Sequence, residues 1–233
     1  MNLLAIDTSG RRGSVAVAQV RGADCRVLSQ AALPASPRTA QTLLPAIRDQ
    51  LATVDWSVSD LTAIAVTSGP GSFTGLRLGI VTAKTLAYAS GAQLAAVPTL
   101  AALAAGRDAA RRPVWAVLDA QRDEAFAARF TAEPNVAALP EVQLAAIDAL
   151  AGLLQSREAL ATPQATLAKI AERLPAGVEA IDGIDDGPSP AAVAQLGAAL
   201  IAAGRTVDPL QLVPQYYRRS AAEEKAAASA SQG

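Results

Sequence analysis

The sequence contains the same short pattern twice, and this repeat constrains the fold more than any other feature. An apolar run ends in Asp7 in LLAID (residues 3–7), and a polar turn leads into a second apolar run, GSVAVAQV (13–20). PVWAVLDAQRDEAFAARF (113–130) repeats this order, with Asp119 in the equivalent place. Two apolar runs around a short turn are typical of a β-hairpin. Two such hairpins, each followed by helical stretches, predict two related α/β domains.

The length and the helical stretches suggest how these domains divide the chain. The chain has 233 residues and is 51% hydrophobic, which is enough for two cores. We expect an N-terminal α/β domain over residues 1–108 and a smaller C-terminal one, with a reduced sheet, over residues 109–220. The last residues, 221–233 (AAEEKAAASASQG), are small and polar and predict a frayed tail.

Apolar spacing and capping residues predict the main helices. Residues 38–51 have the spacing of a helix, but Pro45 lies inside and predicts a turn or a kink there. A second helix is predicted from about residue 74 to residue 89. SPAAVAQLGAALIAAGR predicts a third, with Ser189 as its N-cap and Pro190 at its first position.

The composition excludes several classes of site. The chain has no histidine, one cysteine (Cys25) and a formal net charge of −1. Histidine is the commonest general base and metal ligand, so a Ser-His-Asp triad and a histidine-based zinc site are excluded. One cysteine forms no internal disulfide and suits a reducing compartment. The first residues do not resemble a signal peptide, and charges or Gly/Pro interrupt every apolar run, so we expect a cytoplasmic protein without a membrane span.

The glycine-rich stretch GPGSFTG (residues 69–75) lies between a predicted strand and a predicted helix. It is not a Walker A loop, because Gly75 is followed by Leu-Arg. A dinucleotide fingerprint would need an acid about twenty residues later, and none occurs between Leu61 and Arg107. Two interpretations stay open: the loop contacts a phosphate in another nucleotide fold, or its glycines allow tight packing of a strand-to-helix turn.

The opening turn has the same ambiguity. In kinases of the actin and sugar-kinase type, a strand ends in Asp and the following Gly/Ser/Thr turn grips a phosphate. Such a turn can also simply close a hairpin through an Asx-type hydrogen bond. We therefore interpret both turns as vestigial phosphate-type turns, formed by Asp7, Thr8, Ser9, Gly69, Gly71 and Ser72.

Small residues recur every fourth position in the predicted helix after the loop. Such a stripe lets another backbone approach closely. That backbone belongs either to the chain's own sheet or to a partner, and we predict a partner. The predicted interface consists of Leu43, Leu44, Ile47, Gly75, Leu76, Gly79, Ile80, Ala83 and Ala87, with Arg77 and Lys84 as a charged rim.

These segments together resemble a known family. LLAIDTSGRRGSVAV, LLPAI, AVTSGPGSFTGLRLGIVTAKTLA, VPTLAALA and VLDAQRDEAFAARF follow the order and spacing of the bacterial TsaB (YeaZ) family over about residues 1–130. VPQYYRRS resembles the closing Tyr-x-Arg segment of that family, whereas residues 131–205 show little likeness. The resemblance implies an actin-like (ASKHA, ribonuclease H-like) α/β fold of two related domains, the second reduced.

The resemblance also implies a role. TsaB proteins act in the cytoplasm in making threonylcarbamoyl-adenosine, the modified base next to the anticodon of tRNAs that read codons beginning with A. The catalytic paralogue, TsaD, uses a metal held by a His-x-x-x-His pair, and TsaB is its non-catalytic partner. The implied partners are thus a TsaD-type paralogue, a TsaE-type ATPase and, indirectly, tRNA, with a homodimer as the form expected when the chain is alone. A chain without histidine suits the non-catalytic role.

Two departures from the family concern nucleotide binding. Thr39 stands where relatives often have histidine, and ALATPQATLAKI (residues 159–170) lacks the glycine turn on which an adenosine would rest. We therefore expect no cofactor and no metal, with ATP or ADP bound weakly at most or only at the partner interface. The alternatives are an ATP-dependent phosphotransferase with Asp7 and Asp119 as acids, and a self-associating structural protein.

Overall fold

The computed structural model describes residues 1–34, 39–105, 112–131, 139–181 and 184–218. Within these residues the chain runs twice through the order three strands, helix, strand, helix, strand, helix. The strands of the first unit are β1 (Asn2–Asp7), β2 (Ser14–Arg21), β3 (Asp24–Ala32), β4 (Ala63–Gly69) and β5 (Gln93–Pro98), and its helices are α1 (Thr39–Ala52), α2 (Phe73–Ser90) and α3 (Thr99–Ala104). The strands of the second unit are β6 (Val114–Gln121), β7 (Glu124–Phe130), β8 (Gln143–Ala146), β9 (Ala159–Ala161) and β10 (Glu179–Ala180), and its helices are α4 (Ile147–Leu153), α5 (Gln164–Ile170) and α6 (Pro190–Ala202).

The two sheets have the same topology. The first has the strand order β3-β2-β1-β4-β5, and the second, read from the matching edge, is β8-β7-β6-β9-β10. In each sheet the first three strands are antiparallel, and the last two run parallel to the leading strand. The internal repeat seen in the sequence is thereby confirmed, and the fold is the expected two-unit, actin-like α/β fold. The second sheet also has five strands, so its reduction lies in the length of β8, β9 and β10, which have four, three and two residues.

Helices and sheets form alternating layers. Helices α1 and α2 cover one face of the first sheet, in a core that includes Leu4, Ile6, Leu43 and Ile80. A second core lies between the two sheets and contains residues of both sheets together with α3 and α6. Helices α4 and α5 cover the outer face of the second sheet around Trp115. The two units therefore share their largest core and are joined by it.

The course of α6 is the main difference from the predicted organisation. Its cap is as predicted, because the Ser189 hydroxyl accepts a hydrogen bond from the Ala192 amide at 3.1 Å and Pro190 opens the helix. However, α6 packs on the strands of the first sheet, with Gly197 directly against Ala65 of β4. Helix periodicity marks its apolar face but does not say which sheet covers that face. The predicted boundaries at 108/109 and 220/221 lie outside the described residues.

The helices of the first unit agree with the sequence in position. Helix α2 begins after Ser72, whose hydroxyl accepts a hydrogen bond from the Gly75 amide, and it ends at the left-handed Gly91. Helix α1 continues through Pro45, where a turn or kink was predicted. Pro45 lies on the exposed side of the helix, away from the core. None of the described helices has the length and apolar character needed to cross a membrane.

Candidate functional site

The turn after β1 is closed by its own residues. The Asp7 side chain is 1% exposed, and its Oδ1 accepts hydrogen bonds from the Ser9 amide (3.0 Å), the Ser9 hydroxyl (2.6 Å) and the Thr67 hydroxyl (2.8 Å). Burial raises the pKa of the Asp7 carboxyl above its usual value, although the bonds from Ser9 and Thr67 act in the opposite direction. Buried and bonded in this way, Asp7 is a structural centre of the turn.

The glycine loop packs against the backbone of this same turn. A side chain at Gly71 would place its Cβ 2.6 Å from the Ser9 carbonyl oxygen, and one at Gly75 would collide with the Thr8 carbonyl. The Ser72 amide donates to the Ser9 carbonyl at 2.7 Å, and the Thr8 hydroxyl donates to the Gly75 carbonyl at 2.7 Å. The structure thus brings together the predicted phosphate-type residues, and their polar groups largely bond to one another. The bare backbone is used for close packing within the chain.

The turn after β6 occupies the equivalent place in the second unit. The Asp119 carboxylate accepts a hydrogen bond from the Gln121 amide at 2.9 Å and forms an ion pair with Lys169 of α5. Lys169 lies in the glycine-free stretch in which the sequence analysis missed any functional signal. A lysine in the last turn of a helix forms no distinctive sequence pattern, so only the fold reveals this pairing.

The two turns face each other across a cleft of about 1110 Å³ between the units. The first unit contributes the Ser9–Arg11 turn, the glycine loop and the start of α2, and the second contributes residues 118–122 and α5. The positively charged side chains that line the cleft are Arg11, Arg77, Arg122, Lys169 and Arg218, and the negatively charged ones are Asp119 and Asp186. The cleft therefore has an excess of positive charge.

The predicted partner interface is corrected by the structure. The small-residue stripe of α2 faces the chain's own first sheet, since Ala83 and Ala87 are buried and a side chain on Gly79 would collide with the Thr8 hydroxyl. Of the predicted interface residues, Leu43, Ile47, Leu76, Gly79, Ile80, Ala83 and Ala87 are buried inside the chain, Gly75 is half-buried and Leu44 is exposed. Periodicity detected a packed face, but the partner to which we assigned it was wrong.

The outward face of α1 and α2 has its own apolar residues. Leu44, Val81 and Tyr88 are 56%, 60% and 78% exposed. A groove of about 520 Å³ adjoins these residues, between the two helices and the turn that follows α1. It is lined by Leu44, Pro45, Ile47, Arg48, Leu51, Ala52, Trp56, Ser57, Val58 and Leu86. We call Leu44, Val81, Tyr88 and this groove the outer α1–α2 surface. It is the side of these helices that remains available for a partner.

The predicted charged rim is engaged by the C-terminal segment. Arg77 Nε donates to the Tyr216 hydroxyl at 2.8 Å, and Lys84 Nζ donates to the Leu212 carbonyl at 3.0 Å. Local sequence patterns do not predict this structural role, although VPQYYRRS resembles a family motif.

Comparisons with known proteins agree with this geometry. Residues 33–184 match the family model of TsaD, tRNA N6-adenosine threonylcarbamoyltransferase. The tRNA threonylcarbamoyladenosine biosynthesis protein TsaB of Escherichia coli is 36% identical over 138 residues, which is 58% of this chain and 57% of that protein. The chain thus spans little more than half the length of the curated TsaB proteins it matches.

Two further relatives match over more of their length. An uncharacterized protein of Mycobacterium tuberculosis is 32% identical over 193 residues, covering 81% of this chain and 88% of that protein. The solved structure of YeaZ from Pseudomonas aeruginosa superposes with a TM-score of 0.74 at 27% identity and covers 92% of this chain and 99% of that one. The likeness therefore extends over both units.

Proposed function

Because this chain belongs to the TsaB (YeaZ) family, we propose that it is a non-catalytic partner of a TsaD-type threonylcarbamoyltransferase. In this role it is required for forming threonylcarbamoyl-adenosine next to the anticodon of tRNAs that read codons beginning with A. A cytoplasmic location, a TsaE-type ATPase as a further partner and an indirect relation to tRNA belong to the same proposal.

The observation that carries the proposal is the state of the two carboxylates at the cleft. A general acid or base must reach its substrate, and a magnesium site needs free carboxylate oxygens. Asp7 is 1% exposed and its Oδ1 accepts hydrogen bonds from three donors of its own unit, and Asp119 is paired with Lys169. The absence of histidine from the sequence also deprives the chain of the ligands for a His-x-x-x-His metal site. These features favour a supporting role over the phosphotransferase alternative.

The outer α1–α2 surface supports a partner-binding role. It combines exposed apolar side chains with a groove, whereas the opposite face of the same helices is already buried in the chain. A paralogue with the same fold would present two equivalent helices, so that docking would form a four-helix bundle. We expect the same surface to form a homodimer when the paralogue is absent.

The function is tested by reconstitution with the TsaD-type paralogue from the same cell. We expect threonylcarbamoyl-adenosine to form on tRNA only when both proteins are present with the other components of the modification reaction. Nucleoside analysis by mass spectrometry measures the product. An equal yield without this chain would overturn the proposed requirement.

The surface is tested by Tyr88→Asp. A charge at an exposed position leaves the fold intact but should weaken an apolar interface by about 2 kcal/mol or more, as for interface hot spots. Leu153→Asp is the matched control, because Leu153 is an exposed apolar residue on α4 of the second unit. Calorimetry with the paralogue should show weaker binding for Tyr88→Asp alone. Equal affinities for both variants would place the interface elsewhere.

A further inference from the structure

The chain after α6 returns along the first unit before it crosses the cleft. We call residues 207–218 the C-terminal strap. The Val207 amide donates to the Leu94 carbonyl at 2.9 Å, and Lys84 holds the Leu212 carbonyl at 3.0 Å. The Leu212 side chain is buried in the core beneath α1 and α2. The first half of the strap is therefore anchored firmly on the first unit.

At the rim of the cleft the strap packs on the glycine loop. The Gln215 amide donates to the Ser68 carbonyl at 2.7 Å, and the Gln215 carbonyl lies where a side chain on Gly69 would have to go. Only glycine leaves room for this backbone contact, and Gly69 also has a φ of 125°, which side chains rarely adopt. One glycine of the loop thus makes space for the strap.

The next residue, Tyr216, packs against two side chains of α2, Phe73 and Arg77. The Tyr216 ring lies on the Phe73 ring, with a centroid distance of 4.4 Å and an angle of 22° between the planes. The Arg77 guanidinium lies 4.0 Å from the centre of the Phe73 ring while its Nε donates to the Tyr216 hydroxyl. Ring stacking and a hydrogen bond therefore hold Tyr216, and the cation–π contact between Arg77 and Phe73 supports the same cluster.

The last described residues bind the second unit. The Tyr217 ring contacts Phe126 with a centroid distance of 6.1 Å. The Arg218 guanidinium donates to the Ala120 carbonyl at 2.9 Å and pairs with Glu124 at 3.1 Å. Ala120 and Glu124 flank the hairpin turn that follows Asp119, so the strap ends on the opposite rim of the cleft.

From these contacts we propose that the C-terminal strap is a clasp that holds the rim of the cleft closed. The shared core joins the units at the base of the cleft, and the strap joins them at the rim through Tyr216 on one side and Arg218 on the other. Release of these two side chains lets the rim open about the core. The strap thereby controls access to the positively charged cleft. This inference does not rest on the proposed function, because it concerns only contacts within the chain.

The clasp is tested by measuring the distance between the two units in the full-length chain. Spin labels are placed at Thr85→Cys on α2 and Ala168→Cys on α5, both exposed positions, in a Cys25→Ala background. We expect one narrow distance distribution. The Tyr216→Ala/Arg218→Ala variant should lose this narrow distribution and show longer distances. The control is Leu210→Ala/Val213→Ala, which changes two exposed side chains of the same strap and should keep the narrow distribution.

A milder variant keeps the test valid if the double alanine variant does not fold. In Tyr216→Phe/Arg218→Lys, the first change removes the hydroxyl that accepts from Arg77 but keeps the ring. The second change removes the guanidinium group but keeps the positive charge. Hydrogen exchange at residues 120–124 should become about tenfold faster or more, the effect of losing a charge-assisted hydrogen bond. An unchanged distance distribution in the alanine variant, or unchanged exchange in the milder one, would overturn the clasp.

Discussion

The two units share one topology but treat the acid at the end of their leading strand differently. In the first unit Asp7 is buried beneath a loop whose glycines pack directly on the turn. In the second unit Asp119 remains at the cleft and is paired with Lys169 of α5. The Asp7 carboxylate is held by hydrogen bonds from Ser9 and Thr67, whereas the Asp119 carboxylate is paired with a charge. A duplicated fold thus conserves strand order without conserving the chemistry of its turns.

The strongest test of this contrast removes the close packing on the turn of the first unit. Gly79→Leu places a side chain where the Thr8 hydroxyl lies, so we expect a loss of about 3 kcal/mol in the free energy of unfolding. Thr85→Leu, on the exposed face of the same helix, should change it by less than about 0.5 kcal/mol. Thermal or urea unfolding followed by circular dichroism measures both. A Gly79→Leu melting point near wild type would show that the stripe is not packed inside the chain.

The second unit depends on a buried carboxylate of its own, Glu158. It accepts hydrogen bonds from the Trp115 indole (2.9 Å), the Gln155 amide (2.8 Å) and Arg129 (2.7 Å). Burial acts to raise the pKa of Glu158, but these bonds and the charge of Arg129 outweigh it and keep that pKa below its usual value.

Removal of Glu158 should therefore destabilise the second unit. Glu158→Ala leaves buried donors unpaired and should cost about 2 kcal/mol in urea unfolding. Glu179→Ala breaks the mostly exposed pair with Arg112 and should cost less than about 1 kcal/mol. Equal losses for the two variants would mean that the buried network adds nothing beyond a surface pair.

The two acids should respond differently to removal of their charge. Burial raises the pKa of Asp7, so the protonated side chain favours the folded protein. This contribution to the free energy of unfolding is complete below the pKa that Asp7 has in the unfolded chain, and it is lost as the pH rises through the higher pKa in the folded protein. Asp7→Asn should consequently melt above wild type at pH 7 and lose this advantage at pH 3. Asp119→Asn, which loses the pairing with Lys169, should show no such gain. An Asp7→Asn variant less stable than wild type at pH 7 would show that the charged form stabilises the turn.

The smallest expected effect is the binding of nucleotide to the chain alone. The polar groups of the first turn bond to the glycine loop, and the stretch at residues 159–170 has no glycine turn for an adenosine. Phosphate contacts without a base pocket rarely exceed millimolar to high-micromolar affinity, about −4 to −5.5 kcal/mol. Calorimetry with Mg-ATP should show no stronger binding. A low-micromolar dissociation constant would favour the phosphotransferase alternative.

Local patterns predicted the elements of this protein well. The duplicated hairpins, the limits of α2 and the Ser189 cap all depend on residues close together in the chain, and each is found as predicted. The phosphate-type turns were located correctly as turns. The orientation of the α2 stripe was not, because a stripe of small residues packs equally well on a sheet or on another protein.

The sequence by itself thus determined the two α/β units, the acid that ends the leading strand of each unit and the position of the glycine-rich loop in the first. Hydrophobic periodicity and turn residues act over a few positions, so they can be read locally. Only the tertiary structure decided which sheet α6 covers, which face of α2 is buried, how Lys169 reaches Asp119 and where the C-terminal strap lies. The physical reason is the distance along the chain. The bond between Arg77 and Tyr216 joins residues 139 positions apart, and that from Arg218 to Ala120 spans 98. Such contacts depend on how the units pack, and no local pattern encodes them.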